Sequence, residues 1–268
     1  MTNTASNSLQ NVPVVILCGG RKVLLNDGSY IARNKALVQV RGKPLFWWCL
    51  FQYAFYGASD FILSTGVQAE SFHDALLSLG AKPSTADLNC YVLDMLGQDH
   101  YIRLVESGEN TTTGERLLAC RPYLNSAKVF ALTYSNTLSD VNLGAVYDFH
   151  QKHGLVASLV GAQFPIRFRI LGIRYNEIKV RAFASRPVIE AASINGGFYY
   201  FTDAIWGDEF HLIKNHALEN EPLEALAASK QLAAFDHSGK WQNFDAERDL
   251  EEIVSLAQAL EMKITKTA

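Results

Sequence analysis

The apolar run Val12-Pro13-Val14-Val15-Ile16-Leu17-Cys18 ends in two glycines, Gly19 and Gly20. A buried strand that stops at adjacent glycines is where an open α/β sheet brings bare backbone N–H groups up to a phosphate. The residues that follow, Arg21-Lys22-Val23-Leu24-Leu25, are bulky where a phosphate cradle wants small ones. The start of the motif points to nucleotide chemistry, and its continuation to a changed loop. The other reactive side chains form no pattern of their own. Cys18, Cys49, Cys90 and Cys120 lie far apart without a C-x-x-C spacing, and read as reduced, buried thiols rather than zinc ligands or disulfides. Seven histidines occur with no H-E-x-x-H or nucleophile-elbow context, so none is given a catalytic role. Asp140 reads as the N-cap of a helix beginning there, and Thr113 as the cap of another.

The glycine pair needs a sheet to carry it, and the chain alternates strand and helix patterns for most of its first 160 residues. After the first strand come a helix over 44–54, a strand over 60–66, a helix over 71–79 and a strand over 101–105. A helix over 115–123, a strand over 128–134, a helix over 140–150 and a strand over 156–160 follow. This rhythm predicts an α/β protein with a parallel, doubly wound sheet and its chemistry at the carboxyl ends of the strands. Strand patterns over 168–173, 178–183 and 194–201 then predict mixed or antiparallel pairing, and helices are expected over 221–229 and 246–261. Residues 1–11 read as a disordered N-terminal segment, 12–262 as a single domain and 263–268 as a frayed tail.

Composition narrows the function classes. With 49% hydrophobic and 19% charged residues, the 268-residue chain can build a large core and is no disordered protein. A formal net charge of −3 argues against nucleic acid as a partner, since phosphate-backbone binding leaves a basic surplus. Residues 1–11 are polar and lack the basic-then-apolar order of a signal peptide, and the longest apolar stretch, 44–57, is too short to span a bilayer. A cytoplasmic protein without a membrane partner is expected. The aromatic cluster Trp47, Trp48, Phe51, Tyr53, Phe55 and Tyr56 serves a core or an interface.

Five segments in order carry a resemblance. Val105-Glu106-Ser107-Gly108-Glu109-Asn110-Thr111-Thr112-Thr113-Gly114-Glu115-Arg116-Leu117 is similar to V-D-T-G-x-x-x-M-T-G-G-R-L, and Phe149-His150-Gln151-Lys152-His153-Gly154 to F-H-K-x-H-G. Ile194-Asn195-Gly196-Gly197-Phe198 matches I-N-G-G-F, while Glu221-Pro222-Leu223 and Trp241-Gln242-Asn243-Phe244-Asp245 follow E-P-L and W-Q-P-M-D. Together they resemble the sugar-1-phosphate nucleotidyltransferases, and most closely the glucose-1-phosphate cytidylyltransferase branch, over residues 12 to 250. The resemblance implies a Rossmann-like, three-layer α/β nucleotidyltransferase fold with a mixed, mainly parallel central sheet. It makes 164–200 a sugar-side subregion and a homo-oligomer an expectation.

The reaction it implies is an in-line attack of a sugar phosphate oxygen on the α-phosphorus of a nucleoside triphosphate, releasing pyrophosphate. Such a step relies on alignment and charge neutralisation. By the same resemblance, Gly19, Gly20 and Gly114 are nucleotide-binding, Gly114 on the edge that reads a pyrimidine. The loop's next glycine falls on Lys22 and its arginine on Leu24, which offers no charge. Lys35 keeps the place of the lysine in P-K-P-M without its flanking prolines, as a phosphate contact or an incidental surface lysine. Arg186 replaces the lysine of F-x-E-K-P and keeps its charge, so Lys35 and Arg186 are the candidate phosphate contacts in catalysis. Ser185 stands where a glutamate would bond sugar hydroxyls. Asn195 is a candidate sugar contact, or it shapes a tight strand entry. Asp245 and Asn136 are the candidate Mg²⁺ ligands, but Asn136 stands where a carboxylate belongs, and a hard cation held by one carboxylate is weakly held.

These losses favour a catalytically impaired or inactive homologue that binds a nucleotide or nucleotide-sugar in carbohydrate or polysaccharide biosynthesis, alone or with a pathway enzyme. Two alternatives stay open: an active sugar-1-phosphate cytidylyltransferase with a divergent site, using Mg²⁺, and a purely structural subunit. Gly19-Gly20, Gly114 and Asn136 should line one crevice.

Overall fold

The computed structural model describes residues 7–20, 23–24, 30–31, 34–163, 170–172, 182–184, 193–207 and 213–265. The alternation within β1 (Val14–Cys18) sets the architecture. All five residues are buried, and successive side chains of a strand point to opposite faces. Val14, Ile16 and Cys18 therefore enter one core, and Val15 and Leu17 another. A strand apolar on both faces has to be covered on both. On the first face lie α1 (Leu45–Ala54), α2 (Glu70–Ser78), α4 (Leu143–His153) and α6 (Leu250–Thr265). On the second lie α3 (Thr113–Cys120) and α5 (Glu221–Ala228). The result is a three-layer α/β protein.

The remaining strands of the central sheet are β2 (Asp60–Thr65), β3 (Lys82–Pro83), β4 (Cys90–Met95), β5 (Gln98–Glu106), β6 (Val129–Tyr134), β7 (Ala157–Ala162), β8 (Ile194–Thr202) and β9 (Leu232–His237). Their spatial order is β9-β7-β8-β6-β1-β2-β5-β4-β3. Parallel pairs join β1 to β6 and β2, β2 to β5, and β7 to β9. β8 runs antiparallel between β6 and β7, and β4 antiparallel between β5 and β3. The chain leaves β1 for β2 on one side and returns to β6 on the other. That reversal opens a crevice at the carboxyl ends of β1 and β6, where sheets of this kind hold ligands. A separate two-stranded ribbon, Thr137–Ser139 against Trp241–Asn243, rises from the end of β6.

The mixed, mainly parallel sheet agrees with the expectation; several boundaries do not. The strands β4 and β9 were unforeseen: Cys90–Met95 alternates buried with partly or fully exposed positions, and Leu232–His237 has only partly buried and exposed ones. Residues Asn7–Leu9 form a 3₁₀ turn inside the stretch expected to be disordered, and Leu9 is fully buried with its N–H on the Tyr56 carbonyl at 3.0 Å. At the other end α6 continues to Thr265, and Lys263 donates to Tyr56 Oη at 3.2 Å, so the expected frayed tail begins as helix. Asp140 does not cap α4: Asn142 does, accepting from Ala145 N–H at 3.1 Å, while Asp140 accepts from Lys240 N–H. Likewise α3 is capped by Thr112 in a reciprocal box with Glu115, not by Thr113. Among the described residues no helix is long and apolar enough to cross a membrane.

Candidate functional site

A cleft of about 260 Å³ lies at the reversal, lined by Leu17, Gly19, Gly20, Lys35, Thr111, Thr113, Arg116, Tyr134, Ser135 and Asn136. Its floor is the glycine pair, and each glycine lies beneath a cation. A Cβ on Gly19 would fall 2.2 Å from Arg116 Cζ, so only a bare backbone passes under that guanidinium. A Cβ on Gly20 would stand 3.4 Å from the Lys35 stem.

Arg116 is 3% exposed and is held by protein oxygens. It donates to the Thr65 carbonyl at 3.0 Å, to Ser107 Oγ at 2.8 Å and to the Glu109 carbonyl at 3.3 Å. A guanidinium does not lose its proton, so this side chain sets a permanent positive charge at the cleft floor. The sequence places it in the G-E-R-L match, the one signal for it, but no role was drawn from that arginine.

Lys35 opens a 3₁₀ turn, Lys35–Leu37, positioned by a residue whose importance the sequence concealed. Asn34 is fully buried. Its Nδ2 donates to the carbonyls of Cys18 at 2.7 Å and Val67 at 2.8 Å, its Oδ1 accepts from Ala36 N–H, and its own N–H reaches Gln68 Oε1. It fixes the turn to the ends of β1 and β2 by hydrogen bonds where flanking prolines would do so by rigidity. Lys35 is thereby aimed into the cleft, and Nζ meets Asp245 Oδ1 at 2.6 Å, with side-chain exposures of 20% and 54%.

The ribbon brings the two candidate metal ligands together. Phe244 N–H donates to the Asn136 carbonyl at 2.7 Å, and Asn136 Nδ2 donates back to the Phe244 carbonyl at 3.1 Å and to Asp245 Oδ1 at 3.5 Å. Asn243 Nδ2 takes the other carboxylate oxygen at 2.8 Å. Asp245 thus faces an ammonium and two amide nitrogens. A hard divalent cation seeks several oxygens with anionic character, and here the second carboxylate is an amide whose nitrogen end faces the first. These residues do not fit Mg²⁺, and among the described residues no group of three or more His, Cys, Asp or Glu side chains is placed to hold a metal ion.

Gly114 packs closely against a neighbouring segment. A Cβ there would meet the His216 and Ile213 carbonyls at 2.3 and 2.5 Å, so its side faces the 213–216 segment while its neighbours Thr113 and Arg116 line the cleft. Beyond Thr113 a polar wall continues. Thr113 Oγ1 donates to Glu219 Oε2 at 2.5 Å, and Tyr134 Oη donates to Glu219 Oε1. Burial pushes Tyr134 well above the usual phenol range and Tyr199 up to about 12, so both remain protonated donors. Asn195 meets this wall through Tyr199 Oη at 2.5 Å, while its Oδ1 accepts from Gly197 N–H at 3.0 Å. Its side chain therefore braces the I-N-G-G strand entry. Sequence reasoning did not single out Glu219 or Tyr134. Arg186, Ser185, the side chains of Arg21, Lys22 and Leu24, and most of 164–200 lie outside the described residues.

The structure so brings together Gly19, Gly20, Lys35, Asn136 and Asp245: bare backbone, one cation, an amide and a carboxylate paired with the cation. The glucose-1-phosphate cytidylyltransferase of Salmonella typhimurium (strain LT2) is 33% identical over 248 residues, covering 88% of this chain and 91% of the relative. That of Salmonella typhi is 32% identical with the same coverage. No protein-family model matches the chain. Among solved structures, HddC from Yersinia pseudotuberculosis complexed with GMP-PN shares the fold with a TM-score of 0.64 at 17% identity, over 91% of this chain and 98% of that one. With curated relatives this similar over nearly their full length, the chain belongs to the family of the glucose-1-phosphate cytidylyltransferases, within the sugar-1-phosphate nucleotidyltransferases.

Proposed function

We propose that this protein binds a cytidine nucleotide or a CDP-sugar in the cleft and carries out cytidylyl transfer slowly or not at all. One observation carries the reading: Asp245 is paired with Lys35 and faces the Asn136 amide rather than a second carboxylate. The backbone at Gly19 and Gly20, the Lys35 ammonium and the buried Arg116 suit phosphate and an electron-rich ring edge. Release of pyrophosphate places further negative charge on the leaving group, and losing one preorganised electrostatic partner costs about a hundredfold or more in rate. Arg186 is proposed as a further phosphate contact, Gly114 and its helix start as the base edge, and Asn195 as a support of the sugar end. The free thiols and nucleotide ligand suit the cytoplasm and a role in carbohydrate or polysaccharide biosynthesis, as a homo-oligomer or beside a pathway enzyme.

The competing reading, an active sugar-1-phosphate cytidylyltransferase, draws on the 33% identity to a relative of that name. Calorimetric titration with CTP and CDP-glucose, and pyrophosphate release from CTP with glucose-1-phosphate, separate them. Saturable binding with turnover far below about 1 per second supports the proposal; turnover at or above that rate, within the ordinary enzyme range, establishes the active enzyme. No binding at millimolar ligand overturns both and leaves a structural subunit.

A further inference from the structure

We propose that the Lys35 ammonium, held on Asp245, stands in for a divalent cation, so that the cleft takes its nucleotide-sugar without any metal ion. The inference rests on the nucleotide-binding reading above and specifies how that site is neutralised. Three observations support it.

The first is charge. The Lys35 ammonium offsets the Asp245 carboxylate and the Asn136 amide adds no charge, whereas a carboxylate at 136 would add a negative charge that Lys35 does not offset. The second is orientation. The Phe244 carbonyl can only accept, so it fixes the Asn136 amide with its nitrogen toward Asp245 and its oxygen turned away. No cation can be shared by Asn136 Oδ1 and Asp245 unless that amide turns over and sets oxygen against oxygen. The third is rigidity. A bound ion is useful because it is fixed, and Lys35 is fixed at both ends. Asn34 ties its backbone to the ends of β1 and β2, and Asp245 holds its Nζ at 2.6 Å. An ammonium carries three N–H bonds, and Asp245 Oδ1 is its one acceptor among the described residues. The Lys35 stem packs beside Gly20 and the side chain lines the cleft, so its remaining N–H bonds are proposed to meet phosphate oxygens there.

The test uses the full chain, Mn²⁺ and CDP-glucose. Uptake of Mn²⁺ by the protein alone is read from the electron paramagnetic resonance of the free ion. CDP-glucose binding is measured by calorimetry in EDTA and in MgCl₂. The expected wild-type result is no Mn²⁺ uptake at millimolar ion, and CDP-glucose affinities equal within about twofold in the two media, a difference of less than about half a kcal/mol. Asn136→Asp should gain a Mn²⁺ site and bind CDP-glucose at least about tenfold more tightly with Mg²⁺ than with EDTA. Lys35→Met should lose about tenfold or more of the EDTA-medium affinity, with circular dichroism confirming that both variants fold. Stoichiometric Mn²⁺ uptake by the wild type, or CDP-glucose binding that EDTA abolishes, overturns the inference and leaves nucleotide binding intact. Absence of CDP-glucose binding in both media overturns the nucleotide reading and the inference together.

Discussion

Replacing Gly19 by alanine isolates the contact between the glycine loop and Arg116. Gly19 has no left-handed backbone angle, so alanine adopts its conformation without strain and the effect is steric. The new methyl would sit 2.2 Å from Arg116 Cζ and 2.3 Å from Nε. Ordinary carbon contacts lie near 3.5–4 Å, so the guanidinium has to withdraw by about 1.5 Å. Its bonds to Ser107 Oγ and the Thr65 carbonyl, at 2.8 and 3.0 Å, cannot both survive such a shift. Each hydrogen bond to a charged group contributes about 1.5–3 kcal/mol, so Gly19→Ala should cost at least about 1.5–3 kcal/mol and about twice that if both bonds break. Arg116→Met is itself destabilising, since it leaves the Thr65 and Glu109 carbonyls without this donor. It also clears the space above Gly19, so adding the alanine to the Arg116→Met variant should cost almost nothing. Urea unfolding of the wild type, both single variants and the double variant gives the coupling, expected at about 1.5–3 kcal/mol. Additivity to within about 0.5 kcal/mol would refute the reasoning and place the requirement for glycine elsewhere.

Gly114→Ala should lower stability by about 1–3 kcal/mol, because its methyl meets two backbone carbonyls that cannot step aside; a thermal melt that moves upward, as helix propensity alone would have it, contradicts this packing. Thr112→Ala should cost about 0.5–2 kcal/mol by opening the box with Glu115, and Thr112→Ser should recover most of it in the same denaturation assay. His150 has its pKa pushed down by burial, and secondarily by His153, from 6.5 to about 4. The unfolded chain therefore binds this proton first, so stability is full above about 6.5 and falls as pH drops toward about 4; His150→Asn should flatten that part of the stability-pH curve if the variant folds.

The parts of the fold legible in the sequence were those where one signal dominates. Val14 to Gly20 reads as a buried strand with a glycine end because every side chain is apolar and the break is abrupt. β9 was missed because Leu232-Ala233-Ala234-Phe235 carries too little alternation to distinguish a strand from a turn; its identity comes from pairing with β7. At the site, residue types at motif positions pointed to Lys35, Asn136 and Asp245, but their relation did not. That Asp245 answers Lys35 is a property of the Thr137–Ser139 and Trp241–Asn243 ribbon, which no local pattern announces. Asn34 looked like the loss of a proline, and only its four hydrogen bonds reveal a replacement for it.

Lys35 and Asp245 are separated by 210 positions in the chain. During synthesis the central strands β1, β2, β5 and β6 emerge and can pair long before the ribbon's second half exists. Until Trp241–Asn243 is made, Asn136 lacks the Phe244 backbone and Lys35 lacks its carboxylate. Contacts of such long range form late, after the loop between them has been closed. The Lys35–Asp245 pair of the cleft is therefore completed only after most of the sheet has been made. A prematurely terminated chain that has folded its sheet would carry the glycine floor without the Lys35–Asp245 pair above it.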